Sequence, residues 1–427
     1  MMGHTKIKRG LQFSKEGAPV ENLVHEECCV STAALLGADC PGLRPALTVA
    51  PGDRVTAGQI VFTDRKNPEV AFAAPLSGRV ASIGYGPRRT LSAFVIEAEG
   101  SEPNEVAENH SNTASIDDSS NEGVRQTLLK RGFWPAFQTR PFGGIPAPNA
   151  RPAAIFVNAT QISPRAPAPW VVLERRKAEF QLGVELLTRL TDGPVYVCQA
   201  PEDTLCTFSD RVKGAFFSGT RAAGLSGTHI DRLHPASLDH QVWSIGYQDV
   251  AAIGHLFQTG QYLPDRLISI SGPRAAKPKL VRTCLGGGIR DICSSEFAPQ
   301  SGRPTARMLS GDALTGREAD YIGRYHQQIT IMDRSPDKSV WRWLSGLSAA
   351  QGVIVPTSAL EQALAIDVLP VPLMRALSVG DSEAAERLGC LALVEEDVAA
   401  LTELCSSGAD YGVLLRHVLD DLAGDIV

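Results

Sequence analysis

VAPGDRVTAGQIVF, residues Val49–Phe62, sets turn-forming residues at Pro51–Gly52–Asp53 and at Ala57–Gly58–Gln59, with short apolar, β-branched segments between them. That rhythm predicts tight antiparallel strands, since helical periodicity is absent and turn signals recur too often for a helix to propagate. AFAAPLSGRVASI, Ala71–Ile83, repeats the design around a turn at Pro75–Gly78. Residues 30–100 therefore read as one small β domain.

The pattern changes downstream. Residues 101–123 hold almost nothing apolar and read as a surface linker. A short helix is expected near Val124–Arg131, followed by a Pro-rich, aromatic loop that runs to Pro152 and cannot be regular. From Ala154 the order becomes α/β. AIFVNA (Ala154–Ala159) and PVYVC (Pro194–Cys198) read as buried strands, with further strands at GAFF and VWSIGY. Glu174–Leu190 and Gly246–Gly260 read as helices, the second stopped by Gly260. Strands alternating with helices predict an α/β sheet layer. Arg266–Ile292 reads as strand, turn, strand and a glycine cluster opening a short helix. A few strands are expected within 303–333. The last ninety residues read as helices, with starts at Asp381 and at a Ser358–Glu361 capping box.

Of 427 residues, 41 are basic and 47 acidic, a net charge of −6 that argues against a general nucleic-acid binder. No run of eighteen apolar residues predicts a transmembrane helix, and the N-terminus lacks the apolar core of a secretory signal. The nine cysteines are too few and irregular for a disulfide framework, which points to a reducing cytosol. They contain no CxxC, so an iron–sulfur cluster has no ligand run. His229, His234 and His240 lie in one stretch without an HExxH helix, and loop histidines are the simpler reading than zinc. There is no GxxxxGK[ST] loop and no GxSxG elbow, and Gly286–Gly288 lacks the spacing of a dinucleotide fingerprint. No catalytic constellation emerges. The composition describes a multi-domain chain poor in cofactor motifs.

A series of short motifs is more specific in its order than singly. It runs through IKRGL (Ile7–Leu11), GAPVE (Gly17–Glu21), PGLRPALTVAPGDRVTAGQIVF (Pro41–Phe62), DRKNPEVAFAAPLSGRV (Asp64–Val80) and TRPF (Thr139–Phe142). It continues through AAGLSGTHI (Ala222–Ile230), VWSIGYQDVAAIGHLFQTG (Val242–Gly260), DRLISISGP (Asp265–Pro273), SGDALTG (Ser310–Gly316), GRYHQQ (Gly323–Gln328) and VGDSEAAERLGCLALVEEDVAAL (Val379–Leu401). In this order the chain resembles the A-subunit of the sodium-translocating NADH:quinone oxidoreductase (Na+-NQR) of bacteria, over nearly its whole length.

The resemblance implies a multi-domain architecture. A barrel-sandwich hybrid like biotinyl and lipoyl domains is expected at 1–100, and a linker with a packed Pro-rich loop at 101–150. A Rossmann-like α/β domain resembling the FMN subunit of complex I is expected at 151–262, an SLBB-like β-grasp at 263–335 and a helical domain at 336–427. Lys66 lies near where a carrier lysine would stand, but without an MKM-like context it reads as an exposed turn lysine. FMN-holding relatives use a GRGGAGFPTG-type loop. Here Arg131–Arg140 takes its place, and Phe133, Trp134 and Pro135 fill or stiffen that space. Of the cysteine run that cluster-bearing relatives carry, only Cys405 remains in this place. The resemblance thus implies no FMN, NADH site or iron–sulfur cluster in this chain, with FMN, FAD and Fe–S on other subunits and no catalytic residue of its own. Its partners would be the other subunits of the complex (B to F), chiefly the quinone-binding B-subunit in the membrane, at the cytoplasmic face of the inner membrane. The span Trp343–Leu369 reads as shorter than in typical members, which leaves any partner contact there open.

A quinone pocket wants apolar walls and a few polar groups for the carbonyls. His229, Tyr247, Arg324, Tyr325 and His326 are the expected quinone-site candidates, with ubiquinone as the substrate of the complex. The competing readings are a cofactor-free ligand-binding or scaffold protein outside respiration, and a stand-alone flavin or cluster dehydrogenase, which would be coloured.

Overall fold

The computed structural model describes residues 3–12, 17–19, 26–99, 120–161, 163–294, 306–333 and 352–426. The expected linker falls largely outside them, and the span Trp343–Leu369 is described from Gly352 onward.

The β region forms two small sheets packed face to face. One orders Thr32–Leu36, Leu91–Ala98, Gly78–Tyr85 and Arg54–Val55; the other orders Pro45–Leu47, Ile60–Asp64 and Ala71–Ala73. Strand alternation drives Val61, Phe62, Phe72, Val80, Phe94 and Ile96 into the shared core. Phe62 stacks on Phe72 at 4.6 Å and tilts against Phe94 at 5.5 Å. The turns fall where the sequence places them. Gly52 and Gly58 take the left-handed region, and Asp53 accepts a hydrogen bond from the amide of Ala50.

The α/β layer has the order His4–Ile7, Val212–Gly219, Val195–Gln199, Ile155–Ala159, Val242–Gly246, Gln138–Arg140. All pairs are parallel except the last, which is antiparallel. The first strand of the chain therefore leaves the β region to edge this sheet. Similarly, Glu26–Glu27 joins the next sheet. The expected helix Glu174–Leu190 is shorter, Lys177–Leu187, because Arg176 has a non-helical φ of −127°, and a separate short helix, Pro169–Leu173, precedes it. Lys177–Leu187 packs on Tyr247–Thr259 with backbones nearly touching. A side chain at Gly183 or Gly254 would overlap the carbonyls of Val250 and Glu179. Gly260 ends that second helix in the left-handed conformation.

The third sheet orders Arg317–Glu318, Ala306–Ser310, Gln328–Asp333, Asp265–Ser271, Lys279–Cys284 and Glu26–Glu27, with the short helix Ile289–Ile292 after the glycine cluster. The helices Ser358–Glu361, Pro370–Val379, Ser382–Arg387, Glu395–Leu404 and Tyr411–Ile426 follow, around their own apolar core. Asp381 caps its helix through the amide of Ala384 at 2.9 Å, as read from the sequence. The preceding cap is Thr357, bonded to the amide of Leu360, one residue before the expected Ser358. Among the described residues no helix is long and apolar enough to cross a membrane.

Candidate functional site

In the α/β sheet, the chain crosses to one side of Ile155–Ala159 to form Val195–Gln199 and to the other side to form Val242–Gly246. Open parallel sheets bind ligands at the carboxyl ends of strands flanking such a reversal. A small cavity of about 70 Å³ lies there, reached by Asn158, Ser226, Ser244, Gly246 and Gln248. It shares Gln138, Tyr325, His326, Gln327 and Glu396 with a cleft of about 540 Å³ between the third sheet and the C-terminal helices.

Buried charge frames the smaller cavity. Asp249 is held by Arg266 at 2.5 Å and by Arg324 at 3.2 Å. Gln248 bonds both the amide and the carbonyl of Leu267, so the helix start is fastened to the neighbouring sheet as a strand would be. Asp39, from the β region, accepts from Arg317 at 2.5 Å and from the amide of Arg324 at 2.9 Å. Three regions of the chain thus meet at GRYHQQ.

Of the sequence-derived candidates, Arg324, Tyr325 and His326 line these cavities. Tyr247 is fully buried and stands behind them, its hydroxyl bonded to the Gln327 amide oxygen at 3.1 Å. Tyr325 donates to the carbonyl of Pro135 at 2.8 Å, and burial raises its phenol well above the usual range. His326 bonds Ser310 through Nδ1 at 2.7 Å. Ser310 also accepts from the amide of Gly323; when its hydroxyl proton is given to Nδ1, the imidazole proton stands on Nε2. Burial lowers the pKa of this histidine, against the pull of Asp39, so the neutral ring presents a donor at neutral pH.

His229 is elsewhere. It is fully buried, 4.3 Å from the Phe217 ring, with Nε2 on the carbonyl of Ala223 at 2.7 Å and no hydrogen-bond partner at Nδ1 among the described residues. Burial holds its pKa at about 4. The folded state then binds fewer protons than the unfolded chain below about pH 6.5. Stability is expected to fall by about 3 kcal/mol between pH 7 and pH 4 through this residue. Urea titrations of His229→Phe across that interval should show a shallower loss; an unchanged slope would refute the assignment.

Comparison with known proteins follows this geometry closely. Family models described as the NqrA N-terminal barrel-sandwich hybrid domain, the NqrA second alpha/beta domain and the NQRA C-terminal domain match residues 5–99, 119–262 and 267–320. Relatives named as the A-subunit of the Na(+)-translocating NADH-quinone reductase align along nearly the whole chain. That of Neisseria meningitidis serogroup A is 36% identical over 98% of this chain and 99% of its own. That of Shewanella amazonensis is 38% identical over 97% of this chain and 98% of its own. The chain belongs to the A-subunit (NqrA) family of the Na(+)-translocating NADH-quinone reductase. A solved NAD+-reducing nickel-iron hydrogenase aligns at a TM-score of 0.37 and 13% identity, over 72% of this chain and 61% of that one, too distant to bear on function.

In this NqrA-family chain, the segment Arg131–Phe137 is packed into the core. Phe133, Trp134 and Pro135 are buried, and Trp134–Ala136 is a turn of 3₁₀ helix. Trp134 donates to the carbonyl of Pro146 at 2.8 Å and meets Trp243 edge-on at 5.4 Å. Seven cysteines are buried, Cys28 is partly exposed and Cys29 exposed. Among the described residues no group of three or more His, Cys, Asp or Glu is placed to hold a metal ion.

Sequence reading missed the buried ion pairs around the large cleft. Arg221 pairs with Asp312 at 3.0 Å; burial pushes that carboxyl up, but Arg221 and Thr315 hold it below its ordinary value. Arg140 stands 3.5 Å from Glu396 and 3.8 Å from Asp397. The signal was present in TRPF, AAGLSG, SGDALTG and VEEDV, each carrying a charge beside apolar residues, but pairing needs the tertiary fold.

Proposed function

We propose that this chain is the peripheral, redox-cofactor-free member of the sodium pump. In this reading it docks on the membrane subunits at the cytoplasmic face, chiefly the B-subunit, and contributes to the quinone end. Flavins and iron–sulfur centres are on other subunits. The observation that carries the proposal is the joined pair of cavities at GRYHQQ, set at the strand reversal of the α/β sheet.

The chemistry suits a quinone headgroup. Ala38, Pro41, Ala166, Leu314, Val394 and Ala399 supply apolar wall, and His326 Nε2 is the donor for a ubiquinone carbonyl. Arg324 and Tyr325 are committed to Asp249 and Pro135 and position the histidine's strand end.

A tagged pull-down from detergent-solubilised membranes, with spectra of the complex and of the free chain, tests docking. Flavin-bearing membrane partners and a colourless free chain are expected. A solitary colourless chain would favour a scaffold outside respiration, and a coloured one would overturn the proposal. Quinone titration then tests the site. His326→Leu is expected to weaken ubiquinone binding about tenfold, the loss of one buried hydrogen bond, while Tyr325→Phe leaves affinity nearly unchanged. Equal affinities for wild type and His326→Leu would remove the quinone from this cleft.

A further inference from the structure

Between Thr32 and Ala98 the barrel-sandwich region carries seven arginine and lysine side chains whose placement is sharply divided. At one end, Arg54 and Arg79 share Glu99 at 2.7 and 2.8 Å. At the opposite end, Arg44, Arg65, Lys66, Arg88 and Arg89 are all exposed, and none forms an ion pair among the described residues.

Three turns bring these five together. The amide of Leu91 donates to the carbonyl of Leu43, and the amide of Arg65 donates to the carbonyl of Arg44, both at 2.8 Å. Those bonds seat Arg44 between the turn after Tyr85 and the turn after Asp64. Of the nearby acids, Asp64 is occupied by the amide of Lys66 and the side chain of Asn67, and Glu69 is exposed in the same turn. The end is therefore locally cationic on a chain whose net charge is −6.

The turn between Gly78–Tyr85 and Leu91–Ala98 is built at a conformational cost. Arg88 and Arg89 both have positive φ, 53° and 59°. Glycine, asparagine or aspartate is the residue type that such hairpin positions favour. Here two arginines occupy them, and the guanidinium of Arg89 lies 5.3 Å from the ring of Tyr85, which is 43% exposed. Strained backbone retained at an exposed tip is a mark of a functional surface.

We propose that this end of the barrel-sandwich region is a contact surface for an anionic phospholipid bilayer. Exposed turns bearing arginines that form no ion pair among the described residues suit a planar array of headgroup phosphates. A tyrosine with an exposed ring suits headgroup depth. The contact is independent of docking on membrane subunits and is measured with the chain alone.

The test is co-sedimentation of the full chain with vesicles of phosphatidylcholine, with and without about one-third phosphatidylglycerol, at physiological ionic strength. Wild type is expected to bind the anionic vesicles only, and less so as salt rises. Arg88→Ala/Arg89→Ala should lower the partition coefficient about 30-fold, two cations at about 1 kcal/mol each. Arg54→Ala/Arg79→Ala, an equal change of net charge at the paired end, should leave it unaltered, with matched melting temperatures certifying both folds. Wild type without preference for phosphatidylglycerol, or equal losses from the two double variants, would overturn the proposal. So would a vesicle partition unmoved by Arg88→Ala/Arg89→Ala while capture of the membrane partners falls, which would assign the surface to an acidic protein face instead.

Discussion

Trp134→Ala is expected to destabilise the chain by about 3–5 kcal/mol, the range for deleting a large buried aromatic. The indole is fully buried. It meets Trp243 edge-on at 5.4 Å and Phe137 at 5.5 Å, and the guanidinium of Arg125 lies 5.4 Å from its ring. Its Nε1–H is bonded to the carbonyl of Pro146 at 2.8 Å, so alanine leaves that buried carbonyl unpaired and opens a void on three sides. Collapse into the void is opposed by Pro135 and by the hydrogen bond from Tyr325 to the Pro135 carbonyl. Urea unfolding is the measurement, with Trp170→Ala as the contrast, since that ring is 39% exposed and should cost under about 1 kcal/mol. A Trp134 variant within about 1 kcal/mol of wild type would show that the cluster of Trp134, Phe137 and Trp243 does not carry that stability.

Much of this architecture is legible in the residues, because each element that could be read carries its own local signal. Turn glycines with their neighbours mark the strands of the β region. Ala154–Ala159 is a short apolar run that only a doubly covered strand satisfies. Gly260 and Asp381 terminate and start helices through their own backbone and side-chain chemistry. What could not be read depends on partners far away in the chain. His4–Ile7 has no local signal for joining Val212–Gly219, since a parallel edge strand is recognised only by the strand it meets. Glu174–Leu190 keeps helical periodicity across Arg176, where the backbone breaks. The candidate site shows the same division. Arg324, Tyr325 and His326 sit in one motif and stay together in space, and Tyr247 reaches them through Gln327. His229 belongs to an equally suggestive motif, yet the helix Ser226–Leu233 turns it into the apolar core beside Phe217. A histidine's side of a short helix is fixed by what packs on it, which a single sequence does not display.

Arg140→Met is expected to cost about 1 kcal/mol more at pH 8 than at pH 5, because at the higher pH a buried carboxyl must either stay ionised without its cation or take up a proton. Arg140 is 1% exposed and is the cation between Glu396 and Asp397, joining the antiparallel edge of the α/β sheet to the start of helix Glu395–Leu404. Asp397 reaches back to the amide of Val394 at 2.9 Å, while its other oxygen has no partner among the described residues and faces Gly227, where any side chain would collide with it. Burial raises the Asp397 carboxyl to about 7; Arg140 opposes that rise and Glu396 adds to it. The sign follows from the folded value lying above the unfolded one, near 3.9. The folded state holds the extra proton, so this group's contribution is fully present below about pH 4 and is lost as pH rises through 7. The penalty of Arg140→Met should therefore shrink at pH 5, where Asp397 is largely protonated and needs no cation. Asp397→Asn should flatten the pH dependence on its own, since the amide oxygen still accepts from Val394. In the Arg140→Met background it should restore most of the lost stability at pH 8. A double-mutant cycle at both pH values measures this coupling. A penalty for Arg140→Met that is the same at pH 5 and pH 8, or a double variant no more stable than the single, would show that the arginine acts by packing rather than by charge. With the pair intact, Glu396 stays on the wall shared by both cavities.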